Sequence, residues 1–536
     1  MTGGIITAPQ PEAVEAGSDV LRDGGNAVDA AVACALVQTT VDPIMCGLAG
    51  FGSMQVFMPG EGVHAFIDFH GRAPAAATPD MWADIVVGEA EDGFGFILES
   101  AVNEIGYQSI MTPMTLRALA TALERHGTRS LSHLLQPAIA YAEEGFLVRP
   151  HVSNFWNDVP GSGRVPHIEF VTRFPATRAI YCHEDGTPLK VGERLRNPDM
   201  ARTLSRIAEL GVDEFYTGGI AREIADDMAR HGGLLAAGDL AEVAPVDAGP
   251  LWGSYRGHRV STNNPPGGGI MLIEMLNILE NFDLAGMGHN SPEYVATVSE
   301  AMKIATVDKD TRVGDPRFVE VPVAELTSKD YAAQMAERIR AGEKTHVPRL
   351  NSGGEESKDT THISVVDGAG NAVALTHSIG MPSGVVTPGL GFMYNGCMGV
   401  FDPRPGRPGS LAPGKSRFTA MCPTMLFEGN DPWFVIGAPG GTFITMGVLQ
   451  GILNAVDFGM SAAEAVAAPR FCTTSDTIDI TNRILRRTER GLRDMGYKVR
   501  RSALSYGFAG VHALRRTAAG WDGGADPGRD GMALKA

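Results

Sequence analysis

The feature that most constrains the fold is an abrupt change of character near residue 360. The stretch from Arg349 to Asp359 is small, polar and charged, and nothing in it can build a core. Directly after it, Thr361–Asp367 alternates as a β-strand does, Gly368–Asn371 supplies a turn, and Ala372–Ser378 returns as a second strand. We therefore predict a linker that runs straight into a buried β-hairpin.

A second hairpin is predicted farther along the chain. Its strands cover Thr424–Phe427 and Pro432–Ile436, and the glycine-rich stretch Gly437–Gly441 leads from it into a helix beginning near Thr442 or Phe443. Such an entry places two consecutive glycines at a helix N-terminus.

The N-terminal part of the chain contains signals for the start and end of two helices. Residues 8–22 predict an amphipathic helix, and Asn26 is suited to cap a second, apolar helix over 27–41. The cluster Gly47–Gly52 precedes a strand-like Ser53–Phe57 and indicates a place where backbone packs closely on backbone. Residues 110–345 show mostly helical patterns.

Composition excludes several classes of protein. The chain has 45 Lys and Arg against 62 Asp and Glu, and a net charge of −17 argues against a nucleic-acid partner. The apolar run at 27–41 is shorter than the roughly 20 residues that a membrane span needs, and Met1–Thr7 has no signal-peptide pattern. The six cysteines form no CxxC pair, which indicates reduced thiols. We expect a cytoplasmic protein without a membrane partner.

Most familiar catalytic motifs are missing, so we expect neither a metal nor a cofactor. What remains is a linker that ends at Thr360 and a Gly440-Gly441 turn at a helix N-terminus. A threonine at a chain terminus has a base in its own α-amine, a group whose pKa is ordinarily about 7.7–8.0. Two backbone amides at a helix N-terminus suit a developing oxyanion. The residues alone leave two interpretations open, an N-terminal nucleophile and an ordinary loop-to-strand junction.

Six separated segments resemble one known family. The stretch Thr360–Asp367, with Gly370–Ala374 behind it, looks like the start of the small subunit of the γ-glutamyltransferases (glutathione hydrolases), and Gly437–Gly441 looks like their oxyanion turn. The other similar segments, in the family's order along the chain, are Gly24–Ala31, Asp213–Gly219, Ile278–Asp283 and Ala467–Phe471.

The resemblance implies an α/β fold, the four-layer αββα N-terminal nucleophile hydrolase sandwich with antiparallel sheets. It implies a precursor that cuts itself between Asp359 and Thr360. The products would be a large fragment, 1–359, and a small fragment, 360–536, which stay together as one folded heterodimer, alone or paired with a second copy. No cofactor is implied.

The resemblance also assigns catalytic roles. Thr360 would be the nucleophile, its freed amine the base, and the amides of Gly440 and Gly441 the oxyanion hole. The hydroxyl of Ser378 would help to hold the nucleophile, in place of the threonine that the family has there.

The substrate clamp departs from the family pattern. In the γ-glutamyl enzymes an arginine pairs with the substrate α-carboxylate, in a motif similar to Asp68–Pro74. Here the aligned position is His70, and an arginine follows two places later at Arg72.

The groups that bind the substrate's amino group depart as well. The family has an asparagine at what is here Gly380, and a glutamine and an aspartate near Cys397 and Val400. A Ser-Ser pair is replaced by Thr419-Ala420, and the preceding lid loop looks shortened to Pro403–Gly409.

An ammonium group buried among such residues would lack a partner, at a cost of several kcal/mol. We therefore expect poor recognition of glutathione, a substrate carboxylate held by Arg72 or Arg417, and a pocket that also includes Thr361, Gly380, Cys397 and Thr419. Each arginine has a structural ion pair as its alternative role. The short lid favours water over an amino acid as the acyl acceptor.

Three hypotheses follow from the sequence. The first is a self-cleaving threonine amidase that acts on a small carboxylated amide, as cephalosporin acylases and oxamate amidohydrolases do. The second is a true γ-glutamyltransferase or glutathione hydrolase. The third is an uncleaved pseudo-enzyme or binding protein on the same scaffold.

Overall fold

Two antiparallel β-sheets lie face to face at the centre of the protein. The computed structural model describes residues 3–90, 95–159, 164–348 and 360–536. The strands of the two central sheets, in chain order, are Gly4–Pro9 (β1), Phe51–Met58 (β2), Val63–Phe69 (β3), Val246–Ala248 (β4), Leu251–Tyr255 (β5), His258–Thr262 (β6), Thr361–Asp367 (β7), Ala372–Ser378 (β8), Thr424–Glu428 (β9), Asp431–Gly437 (β10), His512–Thr517 (β11), Gly520–Ala525 (β12) and Gly531–Lys535 (β13).

The first sheet has the order β13-β1-β7-β8-β2-β3-β4, and the second has the order β12-β11-β10-β9-β6-β5. Their inner faces meet in a thin apolar layer that comprises Ile5, Val366, Ala372, Ala374, Met425, Phe427, Val435 and Leu514. Short ladders outside the central sheets are Val86–Glu89 with Phe96–Leu98, Phe146–Leu147 with Arg194–Leu195, Pro382–Val386 with Met393–Asn395, and Phe471–Cys472 with Thr477–Ile480 and Lys498–Arg501.

Helices cover the outer face of each sheet. Those on the side of the first sheet are Pro11–Arg22 (α1), Ala27–Val41 (α2), Thr115–His126 (α3), Leu131–Leu134 (α4), Gln136–Glu144 (α5), Pro150–Trp156 (α6), Glu169–Thr172 (α7), Pro175–Tyr181 (α8), Pro198–Leu210 (α9), Asp213–Tyr216 (α10), Gly219–Arg230 (α11) and Ala237–Ala241 (α12). Those on the side of the second are Gly269–Leu279 (α13), Leu284–Met287 (α14), Pro292–Arg312 (α15), Val323–Leu326 (α16), Lys329–Arg340 (α17), Ile444–Val456 (α18), Ala462–Ala467 (α19) and Arg486–Asp494 (α20). The four-layer αββα sandwich is confirmed.

Helix α2 shows why an apolar helix forms at 27–41. Every residue of α2 is buried between β7 and the outer helices. The side chain of Asn26 accepts hydrogen bonds from the backbone of Val28 and Asp29, and the Asp29 carboxylate accepts one from the backbone of Asn26, which makes a capping box. The predicted buried helix is confirmed. Among the described residues, no helix has both the length and the apolar character to cross a membrane.

The N-terminal prediction needs a correction. The segment at 8–22 is not one helix, because Gly4–Pro9 is a strand and the helix begins only at Pro11. Strand β1 pairs on one side with β7 and on the other with β13, so tertiary pairing decides its conformation.

A buried acid pair joins three helices on the side of the second sheet. Glu274 of α13 is 1% exposed and its carboxyl is hydrogen-bonded to Asp308 of α15. Burial, followed by the charge of Asp308, raises the pKa of Glu274 well above its ordinary value. Asp308 also accepts a hydrogen bond of 2.5 Å from the hydroxyl of Tyr331 and lies 3.5 Å from Arg312.

This pair predicts a pH-dependent stability. Because the pKa of Glu274 is raised in the folded state, its contribution to stability is present at low pH and is lost as pH rises above the ordinary glutamate range. We expect Glu274→Gln to have a higher Tm than the wild type at pH 8, with a difference that shrinks toward pH 5. Thermal unfolding followed by circular dichroism across that range measures this, and a pH-independent difference would contradict it.

Candidate active site

The candidate nucleophile stands at one edge of the first sheet. Thr360 immediately precedes β7, and its neighbour β8 ends at Ser378. Strand β2 begins at Phe51, and His70 follows the end of β3. Because these strands alternate in direction, all four residues lie at the same edge of the sheet.

Thr360 is held in a buried, unusual conformation. It is 4% exposed and has a φ of 91°, a region that residues other than glycine rarely adopt. Its hydroxyl donates a hydrogen bond of 2.9 Å to Oγ of Ser378, and that oxygen also accepts one of 2.7 Å from the amide of Gly380. The Ser378 hydroxyl therefore ties the start of β7 to the segment that follows β8.

Side chains on one face of β7 reach the second sheet in regular order. Oγ of Ser364 donates to the carbonyl of Val435 at 3.5 Å. Two residues earlier, the ring of His362 fills the space over Gly437, where any side chain would overlap it. Thr360 joins that face through its hydrogen bond to Ser378, which lies two residues after Thr376, the partner of His362. It is therefore on the side of β7 that is turned toward the second sheet.

His362 acts as a neutral spacer between the sheets. Its ring nitrogens are hydrogen-bonded to Oγ1 of Thr376 at 2.8 Å and Oγ of Ser364 at 2.9 Å. Burial, followed by the charges of His512 and His377, lowers the pKa of His362 well below its usual value. The ring therefore stays uncharged at neutral pH.

The turn after β10 presents two buried amides. Gly440 has a φ of 138° and Gly441 a φ of 55°, and a Cβ on Gly440 would lie 2.5 Å from Cα of Ala509. Gly441–Phe443 forms a 3₁₀ turn that continues into α18. Within the described residues, neither of these two amides donates a hydrogen bond to another group. Paired, buried donors at a helix N-terminus are suited to bind an oxyanion.

A buried arginine lies beside this centre. Arg417 is 5% exposed, and its guanidinium lies 4.9 Å above the ring of Phe51. It also lies 3.8 Å from Sγ of Cys397. A Cβ on Gly380 would come within 2.5 Å of that sulfur and 3.2 Å of the guanidinium. The structure thus brings Gly380, Cys397 and Arg417 together next to the Thr360–Ser378 pair.

Two predicted pocket residues have hydrogen-bond partners outside the Thr360–Ser378 pair. Thr361 points to the opposite face of β7, where its hydroxyl accepts a hydrogen bond of 2.9 Å from Nε2 of Gln38 in α2. The side chain of Thr419 accepts a hydrogen bond of 3.3 Å from the amide of Met421, and its own amide donates to the carbonyl of Pro266. The structure therefore turns Thr361 away from the site, and a pocket role for Thr419 stays a prediction.

Arg72 lines a different cavity. Its guanidinium donates a hydrogen bond of 3.3 Å to the carbonyl of Ala244, and with Arg317 it borders a cavity of about 290 Å³. None of the residues bordering that cavity is Thr360, Ser378 or a glycine of the turn. Burial, followed by the charge of Arg317, lowers the pKa of Arg72.

His70 shares the sheet edge with Thr360 without touching it. Three strand spacings separate their strands, roughly 14 Å. Nδ1 of His70 is hydrogen-bonded to the carboxylate of Asp68, and its Nε2 is buried with no hydrogen-bond partner among the described residues.

A larger cavity opens beside the turn. It has a volume of about 440 Å³. Its walls include Phe418 and Thr442, which directly follow Arg417 and Gly441, and Val400, three residues after Cys397. Residues of the predicted short lid, among them Arg404 and Arg407, form its rim.

Sequence reasoning missed three of these partners. Phe51 lies in the Gly47–Gly52 cluster, which indicates only close backbone packing, and Ala509 belongs to no motif. His362 had a detectable signal, because strand alternation alone places it on the face of Thr360. The predicted cleavage-site residue Asp359 lies outside the described residues.

The contact between His362 and Gly437 predicts a coupled pair. Gly437→Ala should lower the free energy of unfolding by about 1–3 kcal/mol, because the new methyl overlaps the imidazole. In a His362→Ala background the same change should cost much less. Gly60→Ala is the control, since nothing lies within 4 Å of its added Cβ. Equal costs in both backgrounds, measured by urea unfolding, would contradict this packing.

Comparison with known proteins agrees with this architecture. The Acylase ACY 1 proenzyme of Pseudomonas sp. (strain SE83) is 37% identical, covering 93% of this chain and 88% of the relative. The glutathione hydrolase proenzyme of Escherichia coli (strain K12) is 36% identical, covering 87% and 80%. The solved cephalosporin acylase from Bacillus halodurans superposes with a TM-score of 0.86 at 28% identity, covering 99% of this chain and 96% of that one. Residues 13–536 match the family model described as gamma-glutamyltranspeptidase. The chain therefore belongs to the gamma-glutamyltranspeptidase family and is an N-terminal nucleophile enzyme with amidohydrolase or transferase activity.

Proposed function

We propose that this protein is a precursor that cleaves itself before Thr360 and then hydrolyses a small carboxylated amide other than glutathione. The observation that carries the proposal is the Thr360–Ser378 hydrogen bond at the start of β7, on the face turned toward the second sheet, whose strand β10 leads into the Gly440–Gly441 turn. The proenzyme names of the relatives support a processing step.

Self-cleavage uses the Thr360 hydroxyl, the Asp359–Thr360 peptide bond and one water molecule. The hydroxyl oxygen of Thr360 attacks the carbonyl carbon of Asp359, its proton passes to the amide nitrogen of Thr360, and the C–N bond breaks as an ester forms. Water then hydrolyses the ester, which releases the Asp359 carboxylate and restores the hydroxyl. The freed α-amine of Thr360 becomes the base that an internal threonine lacks.

Turnover follows the same chemistry on a substrate. The α-amine takes the proton of Oγ as this oxygen attacks the substrate carbonyl, and the amides of Gly440 and Gly441 stabilise the oxyanion. The ammonium then gives its proton to the departing amine as the C–N bond breaks. Water, deprotonated by the same amine, cleaves the acyl ester, and Ser378 keeps the nucleophile in place through both steps.

Arg417 supports a carboxylated acyl group. Its guanidinium lies beside Gly380 and Cys397, close to the nucleophile, where a substrate carboxylate gains a charge-assisted hydrogen bond. Neither neighbouring side chain offers the carboxylate or amide oxygens that an α-ammonium group requires. This supports a carboxylated acyl group without an ammonium group, such as glutaryl, over γ-glutamyl.

Two alternatives remain testable in the same system. A γ-glutamyltransferase or glutathione hydrolase is favoured by the identity to the Escherichia coli relative. An uncleaved binding protein would retain the fold without turnover.

Processing is the first prediction to test. Denaturing mass spectrometry of the purified wild type should show two fragments, the smaller beginning at Thr360. Thr360→Ala should remain a single chain of 56.8 kDa without turnover, whereas Thr360→Ser should retain both activities.

Thr361→Ala is the matched control, because that side chain faces Gln38 on the other side of the strand. It should be cut at the same bond. An uncut wild type without turnover would support the binding-protein alternative, and an uncut wild type that turns over would remove Thr360 as the nucleophile.

The preference for a carboxylated acyl group is tested at Arg417. Arg417→Gln should lower kcat/KM for glutaryl-p-nitroanilide by about 10- to 100-fold, the worth of a hydrogen bond to a charged group. The loss for neutral butyryl-p-nitroanilide should be less than about threefold.

Arg72→Gln serves as control and should lose neither activity, because Arg72 borders a separate cavity. A selective loss in Arg72→Gln instead would reassign the carboxylate site to Arg72. Faster hydrolysis of γ-glutamyl-p-nitroanilide than of the glutaryl compound by the wild type would favour the γ-glutamyl alternative.

A further inference from the structure

Resting on the proposed function, we propose that Arg470 is a positioning residue that holds the Gly440–Gly441 amides in place from behind. The residue lies in the family-like Ala467–Phe471 segment, to which the reaction above gives no role. It acts through a short stretch of backbone, Gly507–Gly510, named here the backing segment.

The backing segment touches the turn directly. A Cβ on Gly440 would lie 2.5 Å from Cα of Ala509, so the two backbones are in close contact. The amide of Gly510 donates a hydrogen bond of 2.9 Å to the carbonyl of Pro439. The rings of Phe443 and Phe508 meet edge to face at 5.8 Å. Any shift of the backing segment is therefore transmitted to the turn.

The backing segment is in a conformation that needs support. Phe508 has a φ of 60° and Ala509 a φ of 74°, both in the region that disfavours side chains. Two consecutive residues of this kind persist only where surrounding contacts determine the backbone.

Arg470 supplies those contacts. Its side chain is 2% exposed, and it donates to the carbonyls of Gly507 at 3.3 Å and Ala509 at 2.8 Å, on either side of Phe508. It also donates to the carbonyl of Val466 at 2.6 Å in α19.

Asp526 fixes the guanidinium from the other side. It is 1% exposed and forms an ion pair with Arg470, while its second oxygen accepts a hydrogen bond of 2.8 Å from the amide of Gly528. The planar fork of an arginine can satisfy these acceptors together, whereas the single ammonium of a lysine cannot reach all of them.

The consequence for catalysis follows from geometry. Oxyanion donors act only when they lie about 2.7–3.1 Å from the developing charge, so a displacement of a few tenths of an ångström weakens transition-state binding more than substrate binding. Arg470 should therefore affect kcat and leave KM nearly unchanged.

The experiment measures kcat and KM per processed site for Arg470→Lys. We expect kcat to fall about 10- to 100-fold, with KM within about threefold of the wild type. Asp526→Asn, which keeps the acceptor for Gly528, is the second variant should Arg470→Lys fail to fold. It should also lower kcat with KM nearly unchanged, and its loss of kcat should be smaller.

Arg501→Lys is the matched control. Arg501 also donates to several carbonyls, among them those of Asn482 and Ile484, and it pairs with Glu489, but it touches neither the turn nor the backing segment. It should lose thermal stability without losing kcat.

A rescue variant tests the route of the effect. Glycine adopts a positive φ without strain, so Ala509→Gly should restore part of the kcat lost in Arg470→Lys. A low kcat without rescue would mean that Arg470 acts elsewhere and would overturn the proposal. If the wild type is active and Arg470→Lys has an unchanged kcat, the role of Arg470 is overturned and the proposed function stands. If the wild type shows neither processing nor turnover, the proposed function is overturned as well.

Discussion

The register of the β7–β8 hairpin is the constraint on which the candidate site depends. Thr361 lies opposite His377 and Val366 opposite Ala372, and β7 is paired on its other side with β1. Because side chains alternate along a strand, a slip of one residue would turn Thr360 toward α2 and Thr361 toward the second sheet. The position of the candidate nucleophile is thus fixed by a whole sheet and by the buried layer between the sheets.

The sequence carried enough information for the elements around this register. Both hairpins, the buried helix Ala27–Val41 and the glycine turn were predicted, because alternation, capping and turn residues are local signals. The strand Gly4–Pro9 was not, since both of its pairing partners lie far away in the sequence. The hairpin Leu251–Thr262 was not predicted either, although its two strands pair with each other across Arg256-Gly257 and its signal is therefore local. The four-layer arrangement came from the resemblance and not from any local pattern.

The candidate site was only partly predictable for the same reason. Strand alternation separates Thr360 from Thr361, and it was available in the sequence. The separate positions of the Arg72 and Arg417 side chains could not be predicted from the sequence. The two residues belong to different extended segments, and these segments meet in a β-bridge between Arg72 and Ser416, the neighbour of Arg417. The backbones of the two arginines are therefore close together, but their side chains occupy different places: Arg72 borders a separate cavity and Arg417 lies beside Gly380.

Glycines allow close packing around the candidate site. Gly437 receives the ring of His362, while Gly440 and Gly447 both pack on Ala509. Positive φ values at Thr360, Phe508 and Ala509 cost on the order of 1–3 kcal/mol each. Because such strain persists only when the surroundings determine it, the folded sandwich fixes the backbone of Thr360 and of the segment behind the Gly440–Gly441 turn. If these groups act as proposed, little reorganisation remains for the reaction itself.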